Sequence, residues 1–236
     1  TNTQKQYSYF ELQQEVAKFA GVMRDLGVEQ GDCVVIYMPM IPEAVIGMLA
    51  CARIGAVHSV VFGGFAAHEL AVRIDDAKPK LVLSASCGVE VNTVIEYKSL
   101  IDSALELASH KIDHCVIHQR EYVTAKLIPE RDINWAEAMQ SAQPVAPVAL
   151  QGDHPLYILY TSGTTGEPKG VLVTHAALMN YVNWSSAEYV GEAVSSFALF
   201  TSISFDLTVT SLFVPLSTGS RIVIYPMVEI SEILSL

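Results

Sequence analysis

Cys33-Val34-Val35-Ile36-Tyr37-Met38 is a run with no charged position on either side of its two-residue period. A strand with one wet face alternates apolar and polar residues. One that is apolar throughout suits a sheet covered on both faces, the setting of parallel strands. The flanking sequence agrees. Upstream, Ser8-Tyr9-Phe10-Glu11 has capping-box spacing, and Leu12, Val16, Phe19, Met23 and Leu26 mark one helical face before Gly27 stops it. Gly31-Asp32 turns the chain into the strand. Downstream, Pro42 suits a first helical position, with a helix predicted over Glu43 to Ile54 and ended by Gly55.

The alternation continues. A strand is predicted at Val57 to Phe62, a helix from about His68 to Ala77, a strand at Lys80 to Ser84, a helix near Lys98 to His110 and a strand at Cys115 to His118. Strands alternating with helices predict an α/β fold of mostly parallel sheets, with right-handed crossovers placing helices on both faces. From Gln119 to Gln151 the periodicity fades, and Gln143-Pro144-Val145-Ala146-Pro147 reads as an extended surface connection. Regular elements resume with Leu156 to Tyr160 and Val171 to Val173 as strands and a helix over Ala176 to Tyr189 capped by Thr174. Strands at Phe197 to Phe200 and Arg221 to Tyr225 flank a helix at Leu207 to Leu216, and Ser231 is placed to cap a further helix.

With 51% apolar and 17% charged residues, the 236-residue chain has material for a sizeable core. A net charge of −11 argues against a general nucleic-acid or anionic-membrane surface. Cys33, Cys51, Cys87 and Cys115 are far apart and form no Cys-x-x-Cys pair, which predicts buried reduced thiols. The histidines show no metal-ligand spacing, so no metal site is predicted on these residues. A polar start, Thr1 to Gln6, shows no signal peptide, and the apolar stretch Ala44 to Ala67 is broken by Arg53, His58 and glycines. A cytoplasmic protein without a membrane span is the expectation.

The chemistry concentrates in Tyr160-Thr161-Ser162-Gly163-Thr164-Thr165-Gly166-Glu167-Pro168-Lys169-Gly170. Glycines let backbone N–H groups approach a ligand, the hydroxyls of Thr161, Ser162, Thr164 and Thr165 add donors, and Lys169 adds a compact positive charge. Such a loop suits a polyphosphate. It is not a Walker A loop, because Gly170 follows Lys169, and it lacks the dinucleotide fingerprint because Thr165 replaces the second glycine. The plain alternative is a flexible Gly/Thr hairpin.

This motif resembles the signature of the AMP-forming adenylation superfamily, which includes acyl-CoA synthetases, luciferases and the adenylation domains of nonribosomal peptide synthetases. The resemblance implies that residues 161–166 and Lys169 hold ATP phosphates, with Lys169 the catalytic cation. It further implies attack of a small-molecule carboxylic acid on the α-phosphorus, with Mg2+ held through residues beyond this chain. Residues 1–236 would then be the N-terminal part of an AMP-binding domain, preceding the adenine/Mg2+ motif and the C-terminal domain.

Two branches of the superfamily are visible. Ala50 to Phe65, Arg73-Ile74-Asp75-Asp76-Ala77 and Tyr97-Lys98 resemble short-chain acyl-CoA synthetases of the acetyl and propionyl type. That likeness makes Arg73 a candidate contact for a CoA phosphate, the alternative being a solvated helix charge. Thr201 to Thr208 resembles the Phe-Asp motif of amino-acid adenylation domains, which would set Asp206 against a substrate ammonium group; the alternative is a helix N-cap. His175 occupies a position common in the superfamily near the phosphate loop, and is read as structural. The expected activity is AMP-forming ligation of an acid to CoA. The alternatives are amino-acid adenylation for a carrier-protein thiol, or a non-catalytic fragment.

Overall fold

The structure is a computed structural model that describes residues 5–90, 93–161, 168–190, 196–206 and 208–225. Its centre is a seven-stranded sheet. The strands in chain order are β1 (Cys33–Tyr37), β2 (Val57–Val60), β3 (Leu81–Ala85), then, past a small antiparallel hairpin of β4 (Gly88–Glu90) and β5 (Thr93–Ile95), β6 (His114–His118), β7 (Asp132–Asn134), β8 (Pro155–Thr161) and β9 (Lys169–Thr174). Their order across the sheet is β7-β6-β3-β1-β2-β8-β9. Every neighbouring pair is parallel except β8–β9. The α/β expectation holds, with an antiparallel strand at one edge.

β1 lies near the middle, and its side chains divide as the sequence requires. Val34 and Ile36 join one core with Phe19 and Met23 of α1 (Tyr9–Asp25), Ala44 and Ile46 of α2 (Pro42–Ile54) and Val116 of β6. Val35 and Tyr37 face the other way, with Leu70 and Ile74 of α3 (Ala67–Ala77) and Ile101 and Ala104 of α4 (Tyr97–Leu107). Helices therefore cover both faces, which is why no position of β1 is charged.

The helix signals read from the sequence are realised. Ser8 and Glu11 form a reciprocal capping box on α1, Pro42 opens α2, and Gly55 ends it with φ 74°. Thr174 Oγ1 accepts from Ala177 N–H at the start of α6 (His175–Tyr189). A second, two-stranded parallel sheet joins β10 (Ser196–Leu199) to β11 (Arg221–Ile224), and α7 (Thr208–Thr218) connects them. The helix expected after Ser231 lies outside the described residues.

The weakly periodic region holds more than was read from it. Besides β7, it contains α5 (Trp135–Ser141), whose Trp135 ring stacks on Phe19 at 3.7 Å between centroids. The segment from Gln143 to Val148 is neither helix nor strand, and it is strapped to the helices. Val145 N–H donates to Ala17 O at 3.0 Å, Arg53 Nε donates to Val145 O at 2.7 Å, and Val148 N–H donates to Arg53 O at 3.0 Å. Burial was expected for the cysteines and is found for Cys51, Cys87 and Cys115, while Cys33 is half-buried; all are unbonded thiols. Burial raises Cys33 and Cys115 to about 12, so both stay protonated.

Candidate functional site

The conspicuous loop joins the antiparallel strands β8 and β9. Their register sets Tyr160 opposite Gly170 and Thr161 opposite Lys169, so two of the predicted phosphate contacts face each other across the neck of the loop. Both are exposed. Ser162, Gly163, Thr164, Thr165 and Gly166 lie outside the described residues. Because β8 runs parallel to β2, and β2 to β1, the loop leaves the sheet at the carboxyl ends of the parallel strands. That is the edge at which open α/β sheets bind ligands.

The neck is tied to α3. Tyr160 donates its phenol hydrogen to Asp76 Oδ2 at 2.6 Å. The guanidinium of Arg73, one helical turn away, lies 5.5 Å from the Tyr160 ring centroid and 4.4 Å from that of Phe65. Arg73 also donates to Glu69 O at 2.7 Å and Glu69 Oε2 at 3.0 Å, and its side chain is 7% exposed. This overturns the solvated-charge alternative: the two rings cover the guanidinium and Glu69 neutralises it. A CoA phosphate would meet only the small exposed margin.

Asp206 is exposed, and among the described residues no donor pairs with its carboxylate. α7 begins at Thr208, and Asp206 enters the helix start through its main-chain oxygen, which accepts from Val209 N–H at 3.0 Å. The side chain does not cap the helix among these residues. It lies close enough to Tyr157 to act on its phenol, which burial first and the Asp206 charge second push upward. A cavity of about 30 Å³ is lined by His58, Tyr157, Ile203, Phe205, Thr208 and Leu212, so the chain on both sides of Asp206 reaches it.

His58 lines this cavity, and His175 and His154 follow behind it. Burial, then the neighbouring His175 ring, drives His58 down to about 3. His175 is lowered by burial and by His154, and its main-chain N–H donates to the main-chain oxygen of His154 at 3.1 Å. His154 lies across Gly55, with Nε2 2.9 Å from Gly55 O. Among the described residues no group of three or more His, Cys, Asp or Glu side chains could hold a metal ion.

Sequence reasoning missed the partnership of Tyr160 with Asp76. Both residues stand inside quoted motifs, but 84 positions separate them and only the sheet order brings them together.

Comparison with known proteins gives the family. The model of the AMP-binding enzyme family matches residues 1–233, and the chain belongs to that family. It is 56% identical over 184 residues to an uncharacterised protein of Pseudomonas aeruginosa, covering 77% of this chain and 29% of that one. It is 48% identical to the human mitochondrial acyl-CoA synthetase short-chain family member 3, covering 81% and 28%. Against the propionate–CoA ligase of Escherichia coli it is 47% identical, covering 72% and 28%. The chain thus spans less than a third of the length of these relatives.

Proposed function

We propose that the protein is an AMP-forming acid–thiol ligase of short-chain acyl-CoA synthetase type. The observation that carries this reading is the β8–β9 neck, which sets Lys169 against Thr161 at the carboxyl edge of a parallel sheet. A carboxylate oxygen attacks the α-phosphorus of ATP and the bond to the β-phosphate bridging oxygen breaks, giving acyl-adenylate and pyrophosphate. The thiol of CoA then attacks the acyl carbon and AMP leaves. Lys169 and the hydroxyls and N–H groups of residues 161–166 neutralise the departing pyrophosphate, so the first step is driven by positioning and charge. No base is needed, since the acid is already ionised near neutral pH. Mg2+ belongs to the same expectation, and the described residues supply no cluster of three ligating side chains for it.

A short acid is supported by the likeness to the human and E. coli proteins, whose names carry short-chain and propionate specificity. A second reading, adenylation of an amino acid for a carrier-protein thiol, is favoured by the exposed Asp206 carboxylate, which among the described residues has no paired donor and directly follows Phe205 of the cavity lining. ATP–pyrophosphate exchange with acetate, propionate and a panel of amino acids separates them. Exchange that depends on propionate or acetate is expected. Dependence on amino acids, lost far more than acid-dependent exchange in Asp206→Asn, supports the second reading, and exchange with neither class overturns both.

A further inference from the structure

We propose that Asp76 and Arg73 are positioning residues for the phosphate loop, acting through Tyr160. The proposal rests on the phosphate reading of residues 161–169. Tyr160 is the last residue of β8 before the Thr161–Lys169 pair, so the pose of its ring sets the direction in which the neck leaves the sheet. Two contacts fix that pose. Asp76 Oδ2 accepts the phenol hydrogen at 2.6 Å, a charge-assisted bond. Arg73 lies over the ring at 5.5 Å, itself held over Phe65 at 4.4 Å and by Glu69.

Gly170, directly across the ladder, closes the cradle. A Cβ there would come within 2.8 Å of Ile158 Cγ2 and 3.3 Å of Tyr160 Cε1, so the ring lies over a position that only glycine leaves open. The support reaches down into the sheet, because Tyr37 of β1 donates to the main-chain oxygens of Gly63 and Phe65 and so holds the turn that presents the Phe65 ring.

Asp76 is exposed, and its bond with Tyr160 lies at the surface. Such a bond contributes little to global stability, so its loss should register in loop placement and not in melting. The test uses ATP affinity of the 236-residue chain by calorimetry, with melting temperature as the folding control. Tyr160→Phe and Asp76→Ala should each weaken ATP binding about tenfold, with the double variant no weaker than either single one. Asp76→Asn keeps an acceptor oxygen and should stay within about threefold of the parent. Lys169→Ala separates the two layers of the claim. If it weakens ATP binding while Tyr160→Phe and Asp76→Ala do not, the phosphate reading stands and the positioning role is overturned. If Lys169→Ala leaves affinity unchanged, the phosphate reading itself fails. Hydrogen exchange reads the clamp without ligand: the amides of Thr161, Lys169 and Gly170 should exchange faster in Tyr160→Phe and Asp76→Ala, and parental rates there overturn the proposal.

Discussion

Asp132 has no exposed side-chain surface, yet it is charged, because Arg131 Nε at 2.7 Å and Lys98 Nζ at 2.9 Å pair with it. Lys98 and Arg131 also pair with Asp102, so α4 and β7 are joined by two cations and two carboxylates. Removing one partner of such a network leaves a buried charge uncompensated. Asp132→Ala is therefore expected to cost about 3 kcal/mol in urea unfolding. His58 behaves in the opposite way. Among the described residues its buried Nδ1 has no hydrogen-bond partner, and the ring stacks at 5.5 Å on Tyr157. His58→Phe keeps the ring and removes the unpaired nitrogen; unfolding should show stability equal to the parent or higher near neutral pH.

At the scale of elements, the strap from Gln143 to Val148 explains a glycine in the middle of α1. A Cβ on Gly21 would lie 1.9 Å from Gln143 O, so the strap and the helix touch backbone to backbone. Gly21→Ala improves helix propensity yet should destabilise by about 1–3 kcal/mol, because the strap must move. A melting temperature at or above the parent's would show that the strap is not held.

Sequence reading stops at the shortest elements. β1 was legible because both of its faces are buried, and α1 and α2 because caps and glycine stops bracket them. β4, β5 and β7 are three residues each, and α5 is seven, too short to display a period. α5 did leave one sign: Asn134, whose Oδ1 accepts from Ala136 N–H, stands three residues before Glu137 in a cap-like spacing. For the site, the Gly/Thr-rich motif was legible as a hairpin between two strands, but the burial of Arg73 was not. Its covering rings come from Phe65 and Tyr160, and only the β2–β8 pairing brings the second within reach.

Across the whole molecule, two buried groups set the pH response in one direction. Burial opposes ionisation of Asp132, but hydrogen bonds from Arg131, Ile128 N–H and Lys98 outweigh it and hold its carboxyl below the ordinary 3.8. Its contribution is present above that value and is lost as pH falls through the folded pKa. His58, ordinarily 6.5 and here about 3, takes up its proton only in the unfolded chain over the interval between. Stability should thus fall progressively below pH 6.5, and His58→Phe should flatten the slope between about 6 and 4. An unchanged slope would mean that His58 is not the group responsible.

On the proposed function, the β8–β9 hairpin carries the ATP phosphates at the carboxyl edge of the sheet. The most direct measurement is amide hydrogen exchange of the chain with and without Mg·ATP, resolved to single peptides. Protection is predicted across residues 161–170, diminished in Lys169→Ala. Binding of ATP with protection elsewhere and none across the hairpin would place the phosphates at another site.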